Sequence, residues 1–168
     1  MPRNLEFKAP IHTLESALGV CRRIGARKIG VLVQTDTYFN VRKGRLKLRE
    51  INGEKFELIY YKRASLKGSR YSEFEVIPVI EADKVKNVCG ALFGVKIVVK
   101  KTRTLFLCKN ARIHIDAVNR LGRFVEFEVL VNHGKAQARH LMDFLIREFS
   151  FSKTTSIAGS YADLLSKR

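Results

Sequence analysis

Several short stretches of this chain carry charge at every second position: Asn4-Leu-Glu6-Phe-Lys8, Arg45-Leu-Lys47-Leu-Arg49, Arg112-Ile-His114-Ile-Asp116 and Glu126-Phe-Glu128. Successive side chains of an extended chain point to opposite faces, so each stretch separates a charged face from an apolar one. Lys101 and Arg103 share one parity in the same way, and Lys62 ends a stretch in which Phe56, Leu58 and Tyr60 lie on its own side. Like charges two apart on one face repel unless an opposite charge or a ligand lies between them. Grouped Arg and Lys suit a compact polyanion such as triphosphate, which they bind by charge-assisted and often bidentate contacts. Bare carboxylates in the same place would repel phosphate, and a divalent metal between the two accounts for them.

The elements that position these residues follow from periodicity. Alternation of period two runs through RNLEFKA, TDTYFNV, GRLKLREI, EKFELIYYKR, RYSEFEVIPV, KIVVKKTRTLFL, ARIHIDAV and RFVEFEVLV, with a hairpin signal at Asn52-Gly53. Helical spacing predicts three amphipathic helices: Leu14 to Ile24 after an N-cap at Thr13, Ala82 to Phe93, and Ala138 to Phe149. About eight strands and three helices make an α+β domain with a largely antiparallel sheet. A polar loop over residues 150–160 precedes a short apolar piece, YADLL.

One polar strand face is ordinarily a face in water. Here the polar faces hold Arg-x-Lys-x-Arg, Glu-x-Glu and Arg-x-His-x-Asp rather than a mixture of Thr, Ser and scattered charges. Eight strands suffice to curl a sheet into a barrel-like tunnel. The charged faces then line the lumen, and the apolar faces look outward beneath the helices.

At 168 residues with 46% hydrophobic side chains, the chain supports one sizeable core, and residues 1–168 are expected to form one domain. A formal charge of +16 and a sequence pI near 10.1 predict polyanionic partners, either phosphorylated small molecules or nucleic acid. Arg22, Arg23, Arg27, Lys28, Lys84 and Lys86 lie outside the tunnel parity and keep a binding protein for nucleic acid or polyphosphate as a different class of reading. No run approaches the roughly 20 apolar residues of a membrane span, and the basic start lacks a signal peptide's apolar centre, so a cytoplasmic protein is expected. Cys21, Cys89 and Cys108 sit scattered in apolar segments and read as reduced, buried thiols. Neither a Ser-His-Asp arrangement nor a glycine-rich nucleotide loop is visible.

NLEFK at 4–8, QTDTYF at 34–39, GRLKLRE at 44–50, YYKR at 60–63, KKTR at 100–103, RIHIDAVNRLGRFVEFE at 112–128 and SYADLL at 160–165 together resemble the CYTH superfamily, the triphosphate tunnel metalloenzymes. Within it the chain looks closest to the class IV adenylate cyclase-like branch, related to thiamine triphosphatase. The resemblance implies an eight-stranded antiparallel tunnel with flanking helices that binds triphosphates with Mg²⁺ or Mn²⁺. It also implies conversion of ATP to cyclic AMP and pyrophosphate, or hydrolysis of inorganic or thiamine triphosphate. A homodimer is compatible with it.

The same resemblance assigns residues. Glu6, Glu126 and Glu128 would hold the metal, and Lys8, Arg45, Lys47, Arg49, Lys62, Lys101, Arg103 and Arg112 would grip phosphate. For Arg49 and Lys101 the alternative to gripping phosphate is that they face outward or pair at the rim. Glu6, Lys8 and Asp116 form the expected catalytic set, with Asp116 ligating metal, orienting water or pairing with a cation. His114 is open between a proton carrier, a phosphate contact, a metal ligand and a hydrogen-bonded lumen residue; a lone His favours the last. Tyr38, Tyr60 and Tyr61 read as packing or tunnel-mouth groups. Asn4 stands where the family signature Glu-x-Glu-x-Lys has its first Glu, and an amide brings no negative charge to a metal.

Overall fold

A computed structural model describes residues 1–63 and 67–167. In chain order the elements are β1 (Arg3–Pro10), α1 (Leu14–Arg23), β2 (Arg27–Phe39), β3 (Arg45–Ile51), β4 (Lys55–Arg63), β5 (Arg70–Val79), α2 (Ala82–Phe93), β6 (Val95–Cys108), β7 (Ala111–Val118), β8 (Gly122–Leu130), α3 (Lys135–Glu148) and α4 (Tyr161–Leu165). The strands close into a barrel in the order β1-β5-β4-β3-β2-β6-β7-β8, every neighbour antiparallel. No described helix is long and apolar enough to cross a membrane.

The barrel is inverted relative to one filled by aliphatic side chains. On β1, β7 and β8 the residues opposite the charged parity, among them Leu5, Phe7, Ile113, Ile115, Val125 and Phe127, form a buried cluster with Ala17 and Cys21 of α1 and Leu141, Met142 and Leu145 of α3. Phe127 stacks on Phe7 and meets Phe149 edge-on. Each large apolar side chain buried here contributes about 1.5–3 kcal/mol. On the other side, α2 covers the outward Phe39, Leu46, Leu48, Phe56 and Leu58 through Ala82, Val85 and Cys89.

Local chemistry accounts for the element ends. The Thr13 hydroxyl accepts from Ser16 N and starts α1, and Gly25 at φ 69° lets the chain turn out of it. Asn52 and Gly53, both at positive φ, make the tight β3–β4 turn. β2 begins eight residues before the alternating segment at Thr35, because IGVLV has no polar residue to mark its period, and its register with β6 shifts between Lys28 and Gly30. The YADLL piece is a short helix held by a capping box in which Ser160 and Asp163 exchange hydrogen bonds. Its Tyr161 and Ala162 join Val99, Val118, Phe124 and Tyr38 in an apolar cluster of inward-facing residues that closes one end of the lumen.

Candidate active site in the barrel lumen

Between that plug and the opposite mouth lies a cavity of about 420 Å³ along whose lining cations outnumber carboxylates. It has two unlike walls. β1, β8 and β7 form the first. In their ladders Glu6 stands directly opposite Glu128, and His114 opposite Glu126. Ligand atoms of His114, Glu126 and Glu128 all lie within 4.8 Å of one another. The second wall, from β3, β2 and β6, carries Lys47, Arg49, Lys101 and Arg103, and β3 stands across the closed ring from β8.

Nearly every lumen cation is tied to a carboxylate. Lys8 Nζ lies 3.2 Å from Glu126 Oε1, Arg63 donates to Glu6, and Arg112 is 2.6 Å from Glu128. Arg103 makes a bidentate pair with Asp116, at 2.8 and 2.7 Å, and extends to Glu126 Oε2 at 3.2 Å. Lys47, Arg49 and Lys101 converge on Asp36.

Burial and these neighbours set the protonation states. Burial pushes Asp116 up, but the Arg103 guanidinium outweighs it and holds the acid at about 2. Glu128 is likewise held at about 2, where His114 and Arg112 overcome burial, and Glu126 is held low chiefly by Lys8 against the same penalty. Glu6 goes the other way: burial raises it, Arg63 opposes, and the charges of Glu128 and Glu126 add to the rise. Burial, then Arg103, lowers His114 and keeps it neutral. Burial lowers Lys101 to about 7 and Lys47 to about 8 against the pull of Asp36.

The first wall fits a divalent ion. Glu126 and Glu128 offer hard oxygen donors, and His114 offers a neutral ring whose Nδ1 is buried without a hydrogen bond, 3.5 Å from Glu126 Oε2; Glu6, on the same wall and paired with Arg63, lies outside this converging group. Asn4 is buried on the same wall, one inward position from Glu6 toward the open mouth.

Of the residues expected in the tunnel, Asn4, Glu6, Lys8, Lys47, Arg49, Lys101, Arg103, His114, Glu126 and Glu128 line the cavity. Asp116 lies behind Arg103 with no exposed surface. Arg112 also lines the cavity, at the open mouth, with its side chain 48% exposed. Arg45 is displaced to the plugged end, where it binds Asp163 at 2.8 Å and lines an adjoining pocket. Lys62 does not enter the lumen. It lies exposed on the outer face with Tyr60, because on β4 the inward parity is Ile59, Tyr61 and Arg63.

Sequence reasoning therefore took the cation next to the one that points inward. Arg70 was also missed; its guanidinium donates to the carbonyls of Ile157 and Gly159 beside the lumen. Asp36 was readable, since it shares parity with Gln34 and Tyr38 in QTDTYF. Tyr161 was not. Its hydroxyl donates to Asp116 Oδ2 at 2.7 Å and its ring lies 3.8 Å from Lys8 Nζ, contacts made only when a distant helix docks.

A closed antiparallel barrel with an ionic lumen, basic on one wall and acidic on the other, is the architecture of a triphosphate tunnel. The family model of the CYTH domain matches residues 2–161, and the chain belongs to that family, whose members are typically metal-dependent enzymes. Among solved structures it is similar to the PH1012 protein of Pyrococcus horikoshii, at 21% identity and TM-score 0.85 over 96% of this chain and 98% of that one. A protein of Vibrio parahaemolyticus described as a candidate adenylate cyclase superposes with TM-score 0.78 at 19% identity, covering 97% of each chain. A Hippeastrum protein described as a candidate adenylyl cyclase with a dominant triphosphatase activity gives TM-score 0.71 at 12% identity over 99% of this chain and 96% of that one. No curated protein matches the sequence.

Proposed function

We propose that this chain is a divalent-metal-dependent enzyme that takes a triphosphate into the barrel lumen and converts ATP to cyclic AMP and pyrophosphate. The observation that carries the reading is the pair of facing walls, a carboxylate and imidazole cluster across one cavity from Lys47, Arg49 and Lys101, with Arg103 bridging to Glu126. Transfer at phosphorus asks little covalent chemistry of a protein; neutralised charge and in-line placement of the attacking oxygen do most of the work. Mg²⁺ or Mn²⁺ held by Glu6, Glu126 and Glu128, with His114 beside them, would neutralise phosphate charge and favour loss of the nucleophile's proton.

The chain's own cations bind and orient the rest. Arg103, held by the two oxygens of Asp116, is fixed in the cavity lining, and Lys8 is held between Glu126 and the Tyr161 ring. Leu32, Ile51 and Leu105 form an aliphatic side of the lining beyond the cation wall, which supports an organic group on the triphosphate. The plug at the other end limits entry of bulk water.

A second reading, hydrolysis of the terminal phosphate of inorganic or thiamine triphosphate, is favoured by the activity ascribed to the Hippeastrum protein on the same fold. Incubation with ATP, inorganic triphosphate and thiamine triphosphate, each with Mg²⁺ or Mn²⁺, followed by separation of products, decides between them. Cyclic AMP with pyrophosphate supports the cyclase, and orthophosphate the hydrolase. No turnover with any substrate refutes both and leaves polyphosphate or nucleic-acid binding.

A further inference from the structure

Asp36 is 1% exposed and sits on β2 between its two ladder partners, β3 and β6. Its Oδ2 accepts from Lys47 Nζ at 2.9 Å, from Lys101 Nζ at 3.0 Å and from Arg49 Nη2 at 2.8 Å, while Oδ1 accepts from Arg49 Nε at 2.7 Å. Three cations from strands on both sides thus share one carboxylate. Those three line the cavity, whereas Asp36 does not reach it. The acids of the opposite wall differ in this respect: Glu6, Glu126 and Glu128 line the cavity themselves.

The order from the wall inward is therefore anion, then cations, then open space. An ammonium has three donors and a guanidinium five, so each cation has donors left after serving Asp36. One carboxylate against three cations leaves a local excess matching the charge of one ionised phosphate group. Without the carboxylate, like charges on neighbouring strands would separate.

We propose that Asp36 is a positioning residue, whose carboxylate gathers Lys47, Arg49 and Lys101 into a single cradle for one phosphate group of the substrate. It deepens the triphosphate reading and rests on it. Asp36 touches no ligand in this arrangement and acts through the three side chains in front of it.

The test turns on a sign. Deleting a negative charge near an anion site should tighten anion binding by simple electrostatics, whereas deleting the anchor of the cradle should loosen it. Isothermal titration of wild type and Asp36→Asn with inorganic triphosphate in Mg²⁺ should show affinity at least about ten-fold weaker in the variant, since the lost contacts are charge-assisted. For any substrate the wild type turns over, KM should rise by a similar factor while kcat stays within about three-fold, the pattern of lost uniform binding. Affinity unchanged or tightened in Asp36→Asn overturns the cradle alone; no binding of triphosphate by wild type overturns both the cradle and the proposed function. Should Asp36→Asn fail to fold, Asp36→Asn with Lys101→Met removes a cation together with the anion and relieves the repulsion. That double variant should bind triphosphate at least about ten-fold more weakly than Lys101→Met alone, and equal or tighter binding overturns the proposal.

Discussion

Asp116→Asn tests whether the lumen's ion pairs hold the barrel together as well as shaping its site. Asp116 has no exposed surface, takes two bonds from Arg103 and one from the Tyr161 hydroxyl, and so joins β7, β6 and the plug helix. Breaking one side of a buried pair costs about 3–5 kcal/mol, because the remaining charge stays buried. Arg103 retains Glu126 Oε2 at 3.2 Å, which places the expected loss near the lower end, about 3 kcal/mol.

The pH dependence supplies an independent magnitude. The folded protein holds the Asp116 acid at about 2 against an ordinary 3.8, a difference of about 2 kcal/mol. A lowered carboxylate contributes its full stability above its ordinary value and loses it as pH falls through the folded one. The gap between wild type and Asp116→Asn should therefore be full at pH 5 and above, then close by about 2 kcal/mol toward pH 2. Urea unfolding followed by circular dichroism at pH 7 should show a midpoint lower by about 1–2 M, with a slope of about 2 kcal/mol/M. A midpoint within about 0.3 M of wild type, together with parallel acid profiles, would refute the reasoning.

Three further outcomes follow from the geometry. Glu126→Gln with Glu128→Gln should abolish metal-dependent turnover while far-ultraviolet circular dichroism stays native; retained activity removes these residues from the metal wall. Arg63→Ala, which deletes a cation inside the lumen, should raise KM by about ten-fold or more, whereas Lys62→Ala on the outer face should leave it within about two-fold; kinetics showing the reverse would put Lys62 in the tunnel. With burial lowering Lys101 to about 7 and Lys47 to about 8, metal-free affinity for inorganic triphosphate should be strongest below pH 7 and fall between pH 7 and 9 as these ammonium groups lose protons. An affinity that rises over this window counts against a cation cradle.

The parity of each strand was legible without coordinates, because a pleated chain turns successive side chains to opposite faces whatever its tertiary setting. Leu5 and Phe7 against Glu6 and Lys8, or Phe127 against Glu126 and Glu128, announced two surroundings, and the closed barrel assigns the charged one to the lumen. The three long helices were equally visible from their apolar spacing. β2 was only half visible, since residues 27–34 carry no alternation.

Partners across the lumen were not legible. Arg63 rather than Lys62 faces Glu6, a choice fixed by the register of β4 against β3 and β5. Asp36 could be placed on the inner face by parity, yet its three cations come from strands 11 to 65 residues away in sequence. Tyr161 meets Asp116 across 45 residues. Periodicity is a local property of the backbone and the sequence determined it alone; convergence of charges depends on which strands become neighbours when the sheet closes, and only the tertiary structure decides that.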